Sequence, residues 1–434
     1  MALGGGVFTT QNKVLPGSYI NFVSASKATA NFGERGFVAL PIALSWGKVG
    51  EVFEVTNSQF IKESEKYFGY DYLADEMTSL RELFKYAQTV YFYRLNNNPV
   101  KASNDYATAK FGGVRGNDIK IVIENNVSGG FDVLTYVGTT LKDTQTVANA
   151  EALVSNDWVD FKTTELTATA GTPLTNGSDG EEVEGSNWQL ALDALEGYSF
   201  NILVCNSLDE ITKNLCINWV INLRDNVGSK CQIVVYKANN SNHEAVISVE
   251  NKLVNEITES GKLVYWVGGV EASCGINKSC TNKLYDGELN IDVKYTQHEL
   301  EIALKSGKFI FHKVGNDVRV LEDINTLVNV TLEKNEDFKY NQTIRVIDQI
   351  ANDIAVLFNT RYLGIIPNDN AGRISLWNDI VKHHQELQNL RAIEDFEPED
   401  VIVEQGDTKK SVVVSDNVTV VNAMAQLYMT VIVA

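Results

Sequence analysis

The sequence predicts a multidomain mixed α/β (α+β) protein. An α/β core is interrupted by an inserted all-β domain and followed by a helical plus β C-terminal domain, with extended strands at both ends. Three observations carry that reading. Apolar, β-branched runs alternate with segments of helical spacing up to about residue 98 and again from about residue 186. The texture between them is β throughout. The final residues, Leu427, Tyr428, Met429, Thr430, Val431, Ile432, Val433 and Ala434, are uncharged and strand-prone to the end of the sequence.

Taken in order, Pro16-Gly17 signals a turn, and Tyr19, Ile20, Asn21 and Phe22 follow as a short strand. Residues 35–46 are mostly apolar and bounded by glycines, the pattern of a strand covered on both faces. A strand over 51–55 precedes a helix that Asn57 or Ser58 can cap, running through Phe60, Ile61 and Tyr67. Leu80, Leu83, Phe84 and Ala87 give 77–87 helical spacing, and 89–95 reads as the next strand. Asn96-Asn97-Asn98-Pro99 breaks the alternation. Strands over 119–123, 131–137 and 158–161 then close in a polar loop at 171–182. A β module between two loops inside an α/β pattern is an inserted domain, because domain ends commonly lie close together.

The alternation resumes with a helix at 188–195, a strand at 200–205, a helix at 208–226 and a strand at 231–236. Leu263, Val264, Tyr265, Trp266 and Val267 form a third apolar run, read as a strand. A helix over 297–304 leads to a hairpin, 308–312 with 318–321 across Gly315-Asn316. From Phe338 the texture becomes helical. Ile347, Ile350, Ile354 and Leu357 make one apolar stripe, and 374–390 is a more charged helix. Residues 394–400 read as a solvated acidic linker, flexible like Gly4-Gly5-Gly6. Strands at 411–414 and 417–421 flank a Ser415-Asp416 turn before the terminal strand. The domains expected are therefore 1–22, an arm; 23–98 with 186–336, the α/β body; 99–185, the insertion; and 337–434.

Function classes narrow by exclusion. A formal charge of −19 opposes nucleic-acid binding, which needs a basic footprint. No run of about 18 apolar residues suits a membrane-spanning helix, and the first residues lack a secretory signal, so assembly in the cytosol is expected. Cys205, Cys216, Cys231, Cys274 and Cys280 are odd in number and scattered among apolar residues, which reads as buried free thiols. Gly47-Lys48, Gly261-Lys262 and Gly307-Lys308 lack the remainder of a phosphate loop, and Gly177-Ser178-Asp179-Gly180 is no nucleophile elbow. His383 and His384, adjacent on a helix, point about 100° apart and are expected on a solvated face rather than at a metal. Asp71, Asp75 and Glu76 read as an exposed acidic loop. No catalytic residue, cofactor or metal site is expected. Two alternatives survive: an enzyme or small-molecule-binding protein with a cleft near Gly268-Gly269, and a structural assembly protein of another kind. The two strand-like termini pair either within their own domain or with neighbouring copies, and physics alone admits both.

Four runs, in order along the chain, resemble contractile-tail sheath proteins of bacteriophages and tail-like bacteriocins. Pro16-Gly17-Ser18-Tyr19-Ile20-Asn21-Phe22 is similar to an early Pro-Gly-x-Tyr-Ile-x-Phe run, with Ser18 where Val is frequent. Gly113-Val114-Arg115-Gly116-Asn117-Asp118 resembles the Gly-x-x-Gly-Asn-Asp that opens the family's β insertion. Ile324-Asn325-Thr326-Leu327 and the finish from Ala423 to Val431 resemble two further family segments. The resemblance implies a subunit stacked in helical rings around an inner tube, a homopolymer whose other partners are the tube, baseplate and tail terminator proteins. It implies a particle component made in the bacterial cytoplasm, without nucleic-acid contact or membrane insertion. It also implies that Tyr19, Ile20, Asn21 and Phe22 and Tyr428, Met429, Thr430, Val431, Ile432 and Val433 add strands to neighbouring subunits. The N-terminal strand and helical C-terminal region would lie near the tube, with the insertion outward. Arg373, Lys382 and Arg391, with His383 and His384, concentrate basic residues on and beside the 374–390 helix and are candidates for tube contact.

Overall fold

The computed structural model describes residues 33–239, 241–254 and 261–433. They fall into two compact units, one comprising Gly33–Asn352, Leu390–Glu394 and Val420–Ala434, the other including Asp353–Asn389 and Asp395–Thr419.

The larger unit opens with β1 (Phe37–Ile42), β2 (Val52–Thr56), α1 (Asn57–Phe68), α2 (Thr78–Phe84) and β3 (Thr89–Arg94). Thr56, rather than Asn57 or Ser58, caps α1, through a reciprocal box with Gln59. The insertion supplies β4 (Ile119–Asn125), β5 (Phe131–Val137), β6 (Thr140–Val147) and β7 (Thr169–Pro173). The body resumes with α3 (Gly185–Leu195), β8 (Ile202–Cys205), α4 (Glu210–Asn222), β9 (Gln232–Tyr236), β10 (Val246–Val249), α5 (Leu263–Ser273), α6 (Gln297–Lys305) and β11 (Lys308–Phe309). One seven-stranded sheet of order β11-β10-β9-β8-β1-β3-β2 runs through it, parallel except where β2 meets β3. Alternate residues of β1 serve opposite cores. Val38 and Leu40 pack with Phe60, Leu83 and Trp266, while Ala39 packs with Trp188, Leu192 and Val220. Covered on both faces, such strands are apolar along their whole length.

The 263–267 run is a correction: it is the start of α5, not a strand. Its residues from Leu263 to Ala272 are all buried, and a helix buried all round lacks the stripe that separates it from a buried strand. Gly268 and Gly269 are therefore packing residues. An added Cβ would come within 2.3 Å of Val204 and 2.4 Å of the Leu83 carbonyl oxygen. The neighbouring strand and helix occupy the space where a ligand cleft was the alternative.

The insertion is a four-stranded antiparallel sheet, β6-β5-β4-β7, with Ala107–Ala109 paired to Val159–Phe161. The 171–182 loop is shorter than expected, because Thr169–Pro173 pairs with β4. Trp46 of the body plugs the insertion's core, 5.2 Å from the Trp158 ring. The chain crosses into and out of the insertion side by side, with Val100 and Ser178 exchanging backbone hydrogen bonds of 2.9 and 3.1 Å. Beyond β11, β12 (Phe311–Val314) and β13 (Asp317–Val320) form the expected hairpin, while Lys308–Phe309 joins the large sheet instead.

Two long helices follow, α7 (Asn341–Leu357) and α8 (Asn370–Asn389). In the smaller unit β14 (Val401–Gln405) pairs with β15 (Val412–Asp416), so the hairpin is 401–416 rather than one turning at Ser415-Asp416. Residues 394–400 are folded rather than a solvated linker. Phe396 is buried, its amide donates to Gln388 at 2.6 Å, and the Glu397 amide donates to Asp400. His383 and His384 are likewise buried, because each has a carboxylate partner far along the chain. Asp353 meets His383 Nε2 at 3.0 Å and Asp416 meets His384 Nε2 at 2.9 Å.

Arg345, on α7, organises the interior of the larger unit. Its guanidinium bonds Glu271 at 2.5 Å and Asp323 at 2.6 Å, and all three side chains are at most 1% exposed. One guanidinium faces two buried carboxyls, an arrangement that favours the protonated form of one of them. Burial and the Asp323 charge push Glu271 well above the usual carboxylate range. Asp323 stays below its usual range: burial opposes this, but the Arg345 charge and the Cys280 amide outweigh it. The Glu271 contribution is then full below the ordinary carboxyl pKa and declines as pH rises towards its raised value. Glu271→Gln should make unfolding stability above pH 5 equal to or higher than that of the wild type. Arg345→Met should lower it by about 3–5 kcal/mol, since it strands a buried charge. Urea unfolding across pH checks both.

Candidate functional site

The terminal segment is where the molecule exposes what a folded chain normally hides. Val421 donates its amide to the Ala392 carbonyl at 3.0 Å, which ties down the start of the segment. Beyond Ala423, no described residue hydrogen-bonds to the rest of the chain; the Tyr428 hydroxyl bonds only to nearby Gln426. Leu427, Tyr428, Ile432 and Val433 are 86–90% exposed, and Met429 and Val431 are 75% and 70% exposed. Single exposed apolar side chains are ordinary, whereas a contiguous row of them beside unpaired backbone marks an interaction surface. Thr430 lies within the same row. Tyr19, Ile20, Asn21 and Phe22 lie outside the described residues.

Arg373 and Lys382 do not share one face of α8. Arg373 is half-buried, and its guanidinium donates to the carbonyl and side-chain oxygens of Asn368 at 3.2 and 3.1 Å. Lys382 is exposed nine residues further along α8. That is about two and a half turns, so the two leave opposite faces of the helix. Arg391 is exposed beyond the helix end, in a left-handed conformation with φ of 60°. His383 and His384 are spent on internal contacts with the Asp353 and Asp416 carboxylates.

One buried cluster has metal-like spacing among the described residues. Ligand atoms of Glu271, Cys280 and Asp323 lie within 4.8 Å of one another. Arg345 already supplies the positive charge there, and Asn341 Nδ2 donates to the remaining Asp323 oxygen at 2.8 Å. The donor set is that of an ion-pair core rather than a cation site. Four of the five cysteines are buried and all five are free. Among the described residues, no helix is long and apolar enough to cross a membrane. Sequence reading missed the residues that fix the root of the terminal segment, Ala392 among them, since an alanine after a helix carries no signal of its own.

Comparisons with known proteins cover nearly the whole chain. Residues 35–95 match the domain III N-terminal region of tail sheath protein Gp18, and 97–179 match the phage tail sheath β-sandwich domain. Residues 181–326 match the phage tail sheath central domain, and 333–434 match its C-terminal domain. The phage-like element PBSX protein XkdK of Bacillus subtilis is 31% identical over 470 residues, covering 99% of each chain. The solved sheath tail protein of Desulfitobacterium hafniense is 35% identical, with a TM-score of 0.80 over 90% of this chain and 93% of that one. The helical sheath of the anti-feeding prophage in its contracted state shares the fold at 11% identity, with a TM-score of 0.58 over 97% and 99% of the two chains. This chain belongs to the phage tail sheath protein family.

Proposed function

We propose that this structural sheath subunit polymerises in helical rings around an inner tail tube and contracts to drive that tube through a cell envelope. The observation that carries the proposal is the unpaired apolar row from Leu427 to Val433. Such a row gains backbone partners and buries its side chains by adding to the sheet edge of a neighbouring copy. Tyr19, Ile20, Asn21 and Phe22 are the matching strand at the other end. The subunit divides into the arm 1–22, the body 23–98 with 186–336, the outward insertion 99–185 and the C-terminal region 337–434, which lies nearer the tube.

Contraction, on this reading, is rigid-body rearrangement of folded subunits whose strand pairs persist. A gap of a few kcal/mol per subunit, in the range of two-state conformational differences, sums over many copies to the work required. The extended lattice is kinetically trapped until the baseplate releases it. No catalysis, cofactor or nucleotide enters this scheme. The other partners are the tube, the baseplate and the tail terminator, and assembly takes place in the bacterial cytoplasm.

Deleting residues 427–434 should leave subunit stability within about 0.5 kcal/mol of the wild type, because the described residues of the row are exposed and make no hydrogen bond to the body. The same deletion should abolish sheath formation. Negative-stain microscopy beside thermal unfolding checks this, and normal sheaths from the truncated chain would remove strand exchange through this end. Arg373, Lys382 and Arg391 are proposed to meet an acidic tube. Reversing Lys382 and Arg391 to Glu should weaken co-sedimentation of sheath with tube at least tenfold at low salt, with the loss diminishing as salt rises.

A further inference from the structure

The arm leaves the body through a side-chain device that none of the comparisons points to. Gln342, 3% exposed in the first turn of α7, lays its carboxamide along the chain at residues 421–423. Its Nε2 donates to the Val421 carbonyl at 3.0 Å, and its Oε1 accepts the Ala423 amide at 3.0 Å. One group that donates to residue i and accepts from residue i+2 reproduces the bonding of a residue in a neighbouring parallel strand. Thr343 adds a 3.3 Å hydrogen bond from Oγ1 to the Asn422 side-chain oxygen. The next residue beyond the bonded set, Met424, is fully exposed.

We propose that Gln342 is a positioning residue for assembly. Its carboxamide acts as a one-residue strand partner that holds the arm's root in pairing geometry and sets the direction in which the arm reaches its neighbour. The proposal rests on the strand-exchange reading and names the residue that aims the exchanged strand. A carboxamide suits the task because it offers donor and acceptor on one rigid edge. Arg345 stands one turn further along α7 and anchors that part of the helix to Glu271 and Asp323, so the clamp is mounted on a fixed element.

The test uses the full-length chain and three variants, Gln342→Leu, Gln342→Glu and Ala423→Pro. Hydrogen–deuterium exchange of the peptide containing Ala423 reports the clamp in the free subunit. Gln342→Leu loses both bonds and should expose the Ala423 amide about tenfold or more, as expected for one to two neutral hydrogen bonds. Gln342→Glu keeps the acceptor and loses the donor, so it should protect Ala423 better than Leu does. A role in packing alone gives the opposite order, since Leu suits a buried site better than a carboxylate. Ala423→Pro removes the amide from the arm side, which leaves the body's interior untouched if Gln342→Leu folds poorly. Leu and Pro variants should fold yet give short or irregular polymers, with regular sheaths reduced at least fivefold. Unchanged Ala423 exchange in Gln342→Leu overturns the clamp. Faster exchange with sheaths of wild-type length and repeat overturns the positioning role. Normal sheaths from the chain lacking 427–434 would instead sink the strand-exchange reading, so the two failures are distinguishable.

Discussion

A polypeptide that ends in an apolar row must satisfy two demands at once: its backbone needs hydrogen-bond partners, and its side chains need cover. Water meets the first demand and fails the second. Between Met424 and Val433 no described residue hydrogen-bonds to the body, whereas Val421 and Ala423 are still bonded to it. Among the described residues of the larger unit the sheet is covered on both faces and the insertion's core is plugged by Trp46. Among the described residues this segment carries a long exposed apolar row, and in the proposed helical homopolymer each copy would meet the need of the next.

Rigidity elsewhere gives that segment its meaning. Positions 342 and 345 are neighbours on one face of α7, so the arm's root and the buried ion cluster share a mount. The cluster sets one guanidinium against two carboxyls, Glu271 pushed above the usual carboxylate range and Asp323 held below it. This stabilises little relative to an apolar core, but it tolerates few alternative packings. In a lattice that changes shape, stiffness where the connection begins matters as much as compliance along it.

Much of this fold was legible in the sequence, for physical reasons. The parallel strands β1, β3, β8 and β9 stood out because burial on both faces makes them apolar throughout, and the terminal row stood out because nothing charged interrupts it. The stretch at 263–267 misled for the same reason: total burial erases the stripe by which a helix is told from a strand. β6, polar and partly exposed, and β10, short, offered too little pattern to be seen. The histidine pair looked solvated because Asp353 and Asp416, some 30 residues away on either side, become partners only after folding. Phe396, alone among acidic residues, gave no hint that it is buried. The arm itself was visible, whereas its mount was not, since a glutamine opening a helix has many uses and only tertiary structure selects one.

The paired crossing at Val100 and Ser178 has a consequence for engineering and for evolutionary change. A polypeptide that departs and returns through adjacent, hydrogen-bonded positions lets the sheet beneath it keep its order whatever hangs between them, with Arg94 of β3 as the strand residue that reaches into the insertion. A cassette with neighbouring ends spliced at that doorway must also cover Trp46 and give the buried Arg94 guanidinium, which donates to the Gly112 carbonyl, a new acceptor. Successive copies would then carry their cargo at the spacing of the lattice, a ready scaffold for displaying foreign modules in helical array.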